Sequence, residues 1–304
     1  MDNRRKTTNR FGSIRQVSRK PPRGTNGGVR LQAEFAIIGG TGVYDPALLE
    51  SPQTIVVDTA YGSVELTVGT YLGRGIAFLP RHGRGHSVPP HRINYRANLM
   101  ALKQMGVRQV LSTSAVGSLS EQVPPGSLVA VNDFLDFTKS RPTTFFEGNP
   151  VVHVDMTDPY CHRLRGALQQ TARAQGIELM EGGVYVCAEG PRFETPAEIR
   201  YYQSIGGAVV GMTNVPEVVL AKEAELCYAT VCIVTNFAAG ISPHPLTHEE
   251  VVAAMAANSH RVRQLFFDTI ASLDTQRDCR CGTAVHGDTP LLGAEKEGGA
   301  DEGH

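Results

Sequence analysis

Short apolar runs alternate with segments of helical periodicity between residues 34 and 275, and this alternation is the strongest constraint on the fold. An apolar run bounded by turn residues is typical of a strand buried on both faces, and helices must then cover those faces. Strands are predicted at residues 35–38, 76–79, 107–111, 128–131, 184–187 and 230–234. Helices are predicted at residues 93–105, 197–205, 218–226 and 249–270. The pattern therefore predicts a single α/β domain with a mostly buried sheet.

Composition and charge limit the classes of function open to the chain. Of 304 residues, 41% are hydrophobic and 19% are charged, which is typical of a packed globular core. The formal net charge of -1 gives no general attraction to nucleic acids or anionic membranes. Apolar runs stay well below the ~20 residues that span a bilayer, and no secretory signal is evident. We expect a cytoplasmic protein that binds neither nucleic acid nor a membrane.

The two ends of the chain differ in composition from the middle. Residues 1–33 are rich in Arg, Lys, Ser, Thr, Gly and Pro and contain almost no acidic or large apolar residue. Such a segment cannot bury a core, so we predict a disordered basic extension. A transit peptide is the alternative, although no amphipathic apolar stripe is evident. Residues 276–304 are rich in Gly and acidic residues, and we predict a disordered tail there as well.

The six cysteines show no familiar ligand or redox spacing. Cys187, Cys227 and Cys232 lie in or beside apolar runs, where a reduced thiol behaves as a small hydrophobic group. Cys279 and Cys281 form a C-x-C pair, which is neither a zinc knuckle nor a C-x-x-C redox motif. We predict reduced cysteines and no metal site, with a local disulfide between Cys279 and Cys281 as the alternative.

Two glycine-rich segments that follow predicted strands have the chemistry of an anion site. In the first, residues 39–42, backbone amides and the Thr41 hydroxyl can face an anion, although a structural turn explains the glycines equally well. The second, residues 81–86, has the sequence RHGRGH, and guanidinium groups bind phosphate oxygens bidentately. A metal site of His82, His86 and His91 is the rival interpretation. Glycines oppose the helix that would bring the first two together, and no acidic residue lies within the segment.

Four further segments place small polar groups, an aromatic and a carboxylate after predicted strands: residues 112–118, 188–195, 210–217 and 234–240. Phe193 can stack on a flat base, Glu194 can accept hydrogen bonds from two ring N–H groups, and Asn236 can both donate and accept. Turn chemistry, helix starts and loop capping explain each of these residues taken singly. Because the segments all end strands of one sheet, we expect them to meet at its carboxyl edge, where α/β sheets bind ligands.

These segments resemble the trimeric purine nucleoside phosphorylase and methylthioadenosine phosphorylase family over residues 34–275. The resemblance is carried by GGTGVYDP (39–46), RHGRGH (81–86), TSAVGS (113–118), EGPRFET (189–195), MTNVPEVVLAKEAELCYA (212–229) and VTNFAAG (234–240). It implies a single α/β domain with a mixed, twisted, barrel-like sheet flanked by helices. It also implies a homotrimer, or a dimer of trimers, with sites near subunit boundaries.

The resemblance implies a site that joins a purine nucleoside to inorganic phosphate as co-substrate, without a cofactor. Phosphate is expected at Thr41, Arg81, His82, Ser114, Ala115 and Thr213. The nucleoside is expected at Phe193, Glu194, Met212, Asn236, Ala238, His248 and, from the neighbouring subunit, His153. Asn236, Glu194 and His82 are the expected catalytic groups. Phosphate would attack the anomeric carbon as the glycosidic bond breaks.

The base edge favours 6-oxopurines over 6-aminopurines. Asn236 stands where the methylthioadenosine branch has Asp, and Glu194 lies in a Phe-Glu-Thr run like that of the branch acting on inosine and guanosine. His248 resembles a histidine that binds the 5′-hydroxyl, whereas much of the remaining sequence resembles the methylthioadenosine branch. We predict a 6-oxopurine nucleoside phosphorylase. The alternatives are a methylthioadenosine or methylthioinosine phosphorylase, a non-catalytic nucleoside-binding protein, and a metal-dependent hydrolase.

Overall fold

Eleven strands form one mixed sheet flanked by five α-helices in the part of the chain that the structure describes. The computed structural model describes residues 32–40, 43, 45–148, 151–241, 248–274 and 276–285, and at residues 46, 84 and 248–251 it describes the backbone alone. The strands are β1 (Phe35–Gly39), β2 (Glu50–Thr59), β3 (Gly62–Tyr71), β4 (Arg74–Pro80), β5 (Gln109–Ser118), β6 (Leu128–Ala130), β7 (Asp133–Phe137), β8 (Leu179–Glu181), β9 (Val184–Ala188), β10 (Gly207–Gly211) and β11 (Cys227–Phe237). The helices are α1 (Tyr95–Gln104), α2 (His162–Ala174), α3 (Pro196–Ser204), α4 (Asn214–Glu223) and α5 (His248–Ser272).

Strand β5 is the centre of the sheet because it pairs with three other strands. It runs parallel to β1 and β11 and antiparallel to β10. The main order of the sheet is β2-β3-β4-β1-β5-β10-β9-β7. A branch starts at β5, where β11 pairs with β5, β6 pairs with β11, and β8 pairs with β6. The first half of β5 pairs with β1 and the second half with β10. This branching brings the ends of β1, β4, β9 and β10 and the second halves of β5 and β11 to one region.

The apolar runs form the core as the sequence predicts. Every residue of β1 is buried, and nearly all of β5 and β11 is buried as well. One apolar cluster joins the sheet to α1 and α4, for example through Leu99 and Leu220. Another joins it to α2 and α5, for example through Leu164 and Phe266. Helices thus cover both faces of the central strands, which explains why those strands carry continuous apolar runs.

The predicted strands and helices are all present, but the sequence missed several elements and misplaced two strand ends. Strands β2, β3, β7 and β8 and helix α2 were not predicted, and β10 was predicted only as a strand end before residues 210–217. Strand β2 is exposed along most of its length, and α2 is rich in Arg and Gln, so neither has a long apolar run. Residues 112–118, expected in a loop, belong to β5, and β11 continues to Phe237. Pairing with β10 extends β5, and pairing of β5 with β11 extends both.

Residues 276–285, the first part of the predicted disordered tail, are packed on the domain. A 3₁₀ turn at Arg280–Thr283 is packed on the domain, and Cys281 is buried. The Arg277 guanidinium donates to the Glu225 carbonyl oxygen at 2.9 Å. Residues 276–285 therefore belong to the packed part of the chain. Residues 1–31 and 286–304 lie outside the described residues.

The cysteines are also arranged differently from the prediction. The Sγ atoms of Cys161, Cys227, Cys279 and Cys281 all lie within 4.8 Å of one another. This grouping was not predicted from the sequence, and it could hold a metal ion. Among the described residues, no helix is long and apolar enough to cross a membrane.

Candidate active site

A cavity of about 490 Å³ opens where these strand ends meet. This volume lies within the range of small-molecule sites, roughly 300–1,000 Å³. Of the residues predicted from the sequence, the cavity is lined by Arg81, His82, Ser114, Ala115, Phe193, Glu194, Met212, Thr213, Asn236 and Ala238. The structure therefore brings together residues from five segments of the chain that are up to 157 positions apart, counted from Arg81 to Ala238.

A buried ion pair between Arg81 and Glu217 forms the floor of this region. Arg81 follows β4 and Glu217 lies in α4, and the two side chains are 3% and 0% exposed as residues. Arg81 Nε and Nη2 donate to the two carboxylate oxygens of Glu217 at 2.6 and 2.7 Å. The Tyr228 hydroxyl also donates to Glu217 Oε1, at 2.7 Å. Burial alone lowers the pKa of Arg81, but Glu217 outweighs burial and the pKa is raised above its ordinary value.

This pairing changes the role expected of Arg81. Its Nη1 donates to the Thr113 carbonyl oxygen at 2.7 Å and its Nη2 also donates to Ser112 Oγ at 2.6 Å. Four of the five guanidinium N–H groups are thus used within the protein, and at most one remains for an anion. The bidentate phosphate clamp suggested by the sequence is therefore incompatible with this geometry. Arg81 can supply at most one donor to an anion, and Glu217 balances its charge.

A chain of hydroxyl groups crosses the cavity wall beside Arg81. Ser114 Oγ lies 3.1 Å from Tyr185 Oη and 3.1 Å from Thr213 Oγ1. Thr213 immediately precedes α4, yet its hydroxyl makes no capping bond to that helix. Gly211 is required here, since a Cβ atom would lie 2.0 Å from the Tyr185 hydroxyl oxygen. The arrangement offers rotatable O–H donors to an anion in the cavity.

His82 is held as a neutral ring with one nitrogen free of protons. Its Nδ1 lies 2.8 Å from the Val88 carbonyl oxygen, which can only accept, so Nδ1 carries the proton. Burial lowers the pKa of His82 to about 4. The hydrogen bond to Val88 raises this pKa in part, and the nearby Arg81 charge lowers it further. Nε2 is then an acceptor at neutral pH, suited to a P–OH group. The ring stacks on His86 with centroids 4.2 Å apart.

The loop between β9 and α3 supplies the carboxylate and the aromatic ring. Burial raises the pKa of Glu194 above its ordinary value. Its Oε1 atom is buried and has no hydrogen-bond partner among the described residues. Phe193 is 43% exposed at the cavity wall. An unpaired buried acceptor costs about 1–3 kcal/mol, so the site is suited to a ligand that carries N–H donors.

Asn236 lies in β11 opposite Gly117 of β5. Its Oδ1 accepts from Thr235 Oγ1 at 2.7 Å, and its Nδ2 donates to the Phe237 carbonyl oxygen at 2.9 Å. One Nδ2 hydrogen is left for a ligand acceptor. Gly117 is three residues beyond Ser114, and at about 3.3 Å per residue the two positions are about 10 Å apart along β5. Asn236 and the hydroxyl chain thus lie at different parts of the cavity.

Arg141, which the sequence analysis missed, holds the two loops that carry site residues. Its guanidinium donates to the carbonyl oxygens of Met212 and Val215 at 2.8 and 2.7 Å, and to that of Glu189 at 2.6 Å. Its Nε lies 3.2 Å from Glu189 Oε2. One buried side chain therefore ties the loop after β9 to the loop after β10. Arg141 lies outside every motif, so the sequence carried no signal for it.

Three predicted site residues have no described side chain in this cavity. Thr41 lies outside the described residues, and His248 begins α5 with only its backbone described. His153 is exposed and does not line this cavity, in keeping with its expected action on a neighbouring subunit, which stays a prediction.

Sequence reasoning also missed the wall supplied by α5: Val252, Met255 and Ala256. Glu217 did carry a signal, as an acid within the apolar run 215–220.

The metal-dependent hydrolase has no geometric support. His91 does not line the cavity, and Nδ1 of His82 is hydrogen-bonded to the Val88 carbonyl oxygen. Among the described residues, the four cysteines are the one group of potential ligands close enough to hold a metal ion. The histidines therefore serve the anion site better than a metal site.

The chain is similar in sequence and fold to known phosphorylases. The family model described as the phosphorylase superfamily matches residues 34–271. A probable 6-oxopurine nucleoside phosphorylase of Dictyoglomus turgidum is 56% identical over 253 residues, covering 83% of this chain and 96% of that protein. A probable S-methyl-5′-thioinosine phosphorylase of Methanothermobacter thermautotrophicus is 50% identical over 257 residues, covering 83% and 89%. A crystal structure of methylthioadenosine phosphorylase from an antarctic soil metagenomic library has a TM-score of 0.79 at 34% identity, covering 84% of this chain and 91% of that one.

The Glu217→Gln variant is expected to lose much of its stability. Gln keeps the volume but leaves the Arg81 charge buried without a counter-ion, which costs about 3–5 kcal/mol. Glu223→Gln is the matched control in the same helix, because Glu223 accepts only from the neutral donors Thr144 Oγ1 and Phe145 N. That control should lose about 0.5–1.5 kcal/mol. Urea unfolding measures both, and equal losses would contradict the ion-pair argument.

Removal of the Arg141 donors is expected to loosen both site loops together. The Arg141→Met variant keeps the aliphatic stem but loses charged hydrogen bonds worth about 1.5–3 kcal/mol each. Amide hydrogen exchange in residues 188–195 and 212–216 should accelerate by at least roughly tenfold. Lys139→Met removes an exposed cation two residues away and should leave these rates unchanged. Acceleration in one loop alone would show that Arg141 does not couple them.

Proposed function

The chain belongs to the phosphorylase superfamily, and on this basis we propose that it is a 6-oxopurine nucleoside phosphorylase. It would convert inosine or guanosine and inorganic phosphate into the free base and ribose 1-phosphate, in purine salvage. The observation that carries this proposal is the unpaired Oε1 atom of Glu194 in a cavity shared with the Asn236 amide and the hydroxyl chain. Phosphate is a co-substrate, and the proposed reaction uses no cofactor.

The proposed reaction breaks one bond and forms one. A phosphate oxygen bonds to the anomeric carbon as the bond from that carbon to the purine nitrogen breaks. The electron pair of the broken bond moves into the purine ring, and the proton carried by the phosphate dianion ends on the released base. Ser114 and Thr213 would orient the phosphate by hydrogen bonds, and the unprotonated Nε2 of His82 would accept from its P–OH group. Holding both reactants in line is the main contribution to the rate.

Negative charge on the leaving base is the second feature the site would stabilise. A 6-oxopurine presents a ring N–H to an acceptor and a carbonyl oxygen and ring nitrogen to a donor. Glu194 supplies the acceptor, and the remaining Nδ2 hydrogen of Asn236 supplies the donor. The donor strengthens its bond as charge builds, which lowers the barrier. A 6-aminopurine would leave Glu194 without a ring donor.

A methylthioinosine phosphorylase is the second candidate, and the wall of α5 favours it. Val252, Met255 and Ala256 are apolar, and an apolar wall suits a methylthio group better than a hydroxyl. The similarity to a probable S-methyl-5′-thioinosine phosphorylase agrees with this reading of the wall. His248 lies one helical turn before Val252 and would favour the 5′-hydroxyl.

A homotrimer is the proposed assembly. The exposed His153 is expected to reach the 5′ region of a neighbouring subunit's substrate, and Val151 beside it is 74% exposed. An assembly that covers this segment would remove an exposed apolar side chain from water. The cytoplasmic location stays a prediction.

Hypoxanthine release from inosine is expected only when inorganic phosphate is present, since phosphate is the nucleophile. Chromatography of the products in phosphate and in phosphate-free buffer measures this directly, and ribose 1-phosphate should appear in equal amount. The same assay with 5′-methylthioinosine separates the two candidates by their kcat/KM values. Equal release in both buffers would reject phosphorolysis. Calorimetric binding of inosine without turnover would instead favour a binding protein.

Two substitutions at the base edge are expected to change base preference. Glu194→Gln should lower kcat/KM for inosine roughly 5–150-fold, because a buried hydrogen bond is mismatched. This fold-change corresponds to a loss of transition-state stabilisation of about 1–3 kcal/mol. Asn236→Asp should raise the ratio of adenosine to inosine activity, since Asp accepts from a 6-amino group. Glu178→Gln and Asn132→Asp make the same chemical changes at exposed positions and serve as controls. A ratio unchanged in both site variants would show that these residues do not contact the base.

A further inference from the structure

Four cysteines from three separate parts of the chain meet at the amino end of β11. Cys161 immediately precedes α2, Cys227 begins β11, and Cys279 and Cys281 flank a single residue in the C-terminal segment. Their Sγ atoms lie within 4.8 Å of one another, and those of Cys227 and Cys279 are 3.3 Å apart. Four thiolates around a tetrahedral Zn²⁺, with bonds of about 2.3 Å, lie about 3.8 Å apart. Adjustments of about 1 Å or less therefore close such a site.

The backbone fixes two of these cysteines before any ion binds. The Cys161 amide donates to the Tyr228 carbonyl oxygen at 2.8 Å, and the Cys227 amide donates to the Arg108 carbonyl oxygen at 2.9 Å. The C-terminal segment that brings the other two is attached by Arg277 and by the ion pair of Arg163 Nε with Asp278, at 3.2 Å. Ligands on rigid elements give a defined geometry. The grouping is therefore more than chance proximity of surface thiols.

Burial and local charge suit a closed site. Cys227, Cys161 and Cys281 are 0%, 1% and 6% exposed, and Cys279 is half-buried, so three of the four ligands are closed to bulk water. A zinc ion with four thiolates carries a net charge of about −2. Arg280 lies between two of the ligands, Arg163 follows Cys161 by two residues, and the N-terminus of α2 adds positive potential. These groups offset the charge that the buried thiolates would create.

We propose that Cys161, Cys227, Cys279 and Cys281 bind one Zn²⁺ ion as a structural site. On binding, each thiol loses its proton to solvent, four protons in all, and four zinc–sulfur bonds form without any change of oxidation state. The ion fastens the C-terminal segment to the start of β11 and to α2. Cys227 and Asn236 are nine residues apart in β11, or about 30 Å at 3.3 Å per residue, so the ion lies far from the candidate active site.

Paired disulfides are the competing outcome for the same thiols. They require an oxidant and sulfur atoms about 2.05 Å apart, and all six cysteines are free in the structure. Metal binding needs no oxidant and uses all four sulfur atoms at once. The two outcomes differ in metal content and in the number of titratable thiols, so one experiment separates them.

Metal analysis of the full-length protein tests the proposal. Protein expressed with added zinc and purified under reducing conditions is expected to contain about one zinc per chain. The Cys279→Ser/Cys281→Ser double variant should lose most of it, whereas Cys232→Ala, which removes a buried thiol outside the cluster, should retain it. Absence of zinc from the wild type, or equal loss in the Cys232→Ala control, would overturn the proposal. Disulfide-linked peptides joining these cysteines, found in place of the metal under the same conditions, would do the same.

Cobalt and thermal unfolding give readouts that do not depend on catalysis. Co²⁺ added to the metal-free wild type should give thiolate charge-transfer absorption and the visible bands of a tetrahedral site. The double variant should not give these bands. A chelator should lower the Tm of the wild type and leave that of the double variant unchanged, because a ligand bound only to the folded state stabilises it. Octahedral cobalt bands, or a Tm that does not respond to chelator, would show that the cluster binds no structural metal.

Discussion

The buried pair of Arg81 and Glu217 is the interaction on which the candidate site depends. Two charges removed from water are tolerated only when each is fully paired, and Glu217 receives both Arg81 and Tyr228. Arg81 in turn bonds to Ser112 and to the Thr113 carbonyl oxygen. The pair therefore joins the end of β4, strand β5, strand β11 and helix α4 at one point. The cavity opens directly beside this junction, so the position of its walls follows from the pairing.

The polar groups of the cavity are distributed along β5 in an order that matches a two-part ligand. Ser114 and Thr213 supply hydroxyls near the Arg81 charge, and Asn236 faces Gly117 farther along the strand. Met212, Phe193 and the apolar face of α5 supply apolar parts of the wall. Arg141 keeps the loops after β9 and β10 together and so fixes Glu194 and Thr213 relative to each other. A phosphate, a sugar and a purine in line need this kind of extended arrangement.

Strand β11 links two regions with different chemistry. Asn236 lies near its carboxyl end and contributes to the cavity, whereas Cys227 at its amino end belongs to the thiol cluster. The carboxyl ends of parallel strands are where α/β sheets bind ligands, and the amino ends are free for structural attachments. A cluster that holds the C-terminal segment at the amino end leaves the cavity unaltered. The helix α5 joins the two regions, because its first turns line the cavity and its last turn leads to Cys279 and Cys281.

The sequence alone determined the α/β class, the six apolar strands and the segments that hold most of the cavity lining, because apolar runs and glycine-rich segments are local signals. It also gave a base edge at Glu194 and Asn236, which stays a prediction. Only the tertiary structure decided that Arg81 is paired with Glu217 rather than open to an anion, and that Arg141 holds two loops. The meeting of Cys161 and Cys227 with a C-x-C pair was likewise invisible in the sequence. Each of these contacts joins residues at least 48 positions apart, and their proximity depends on how strands pair around β5.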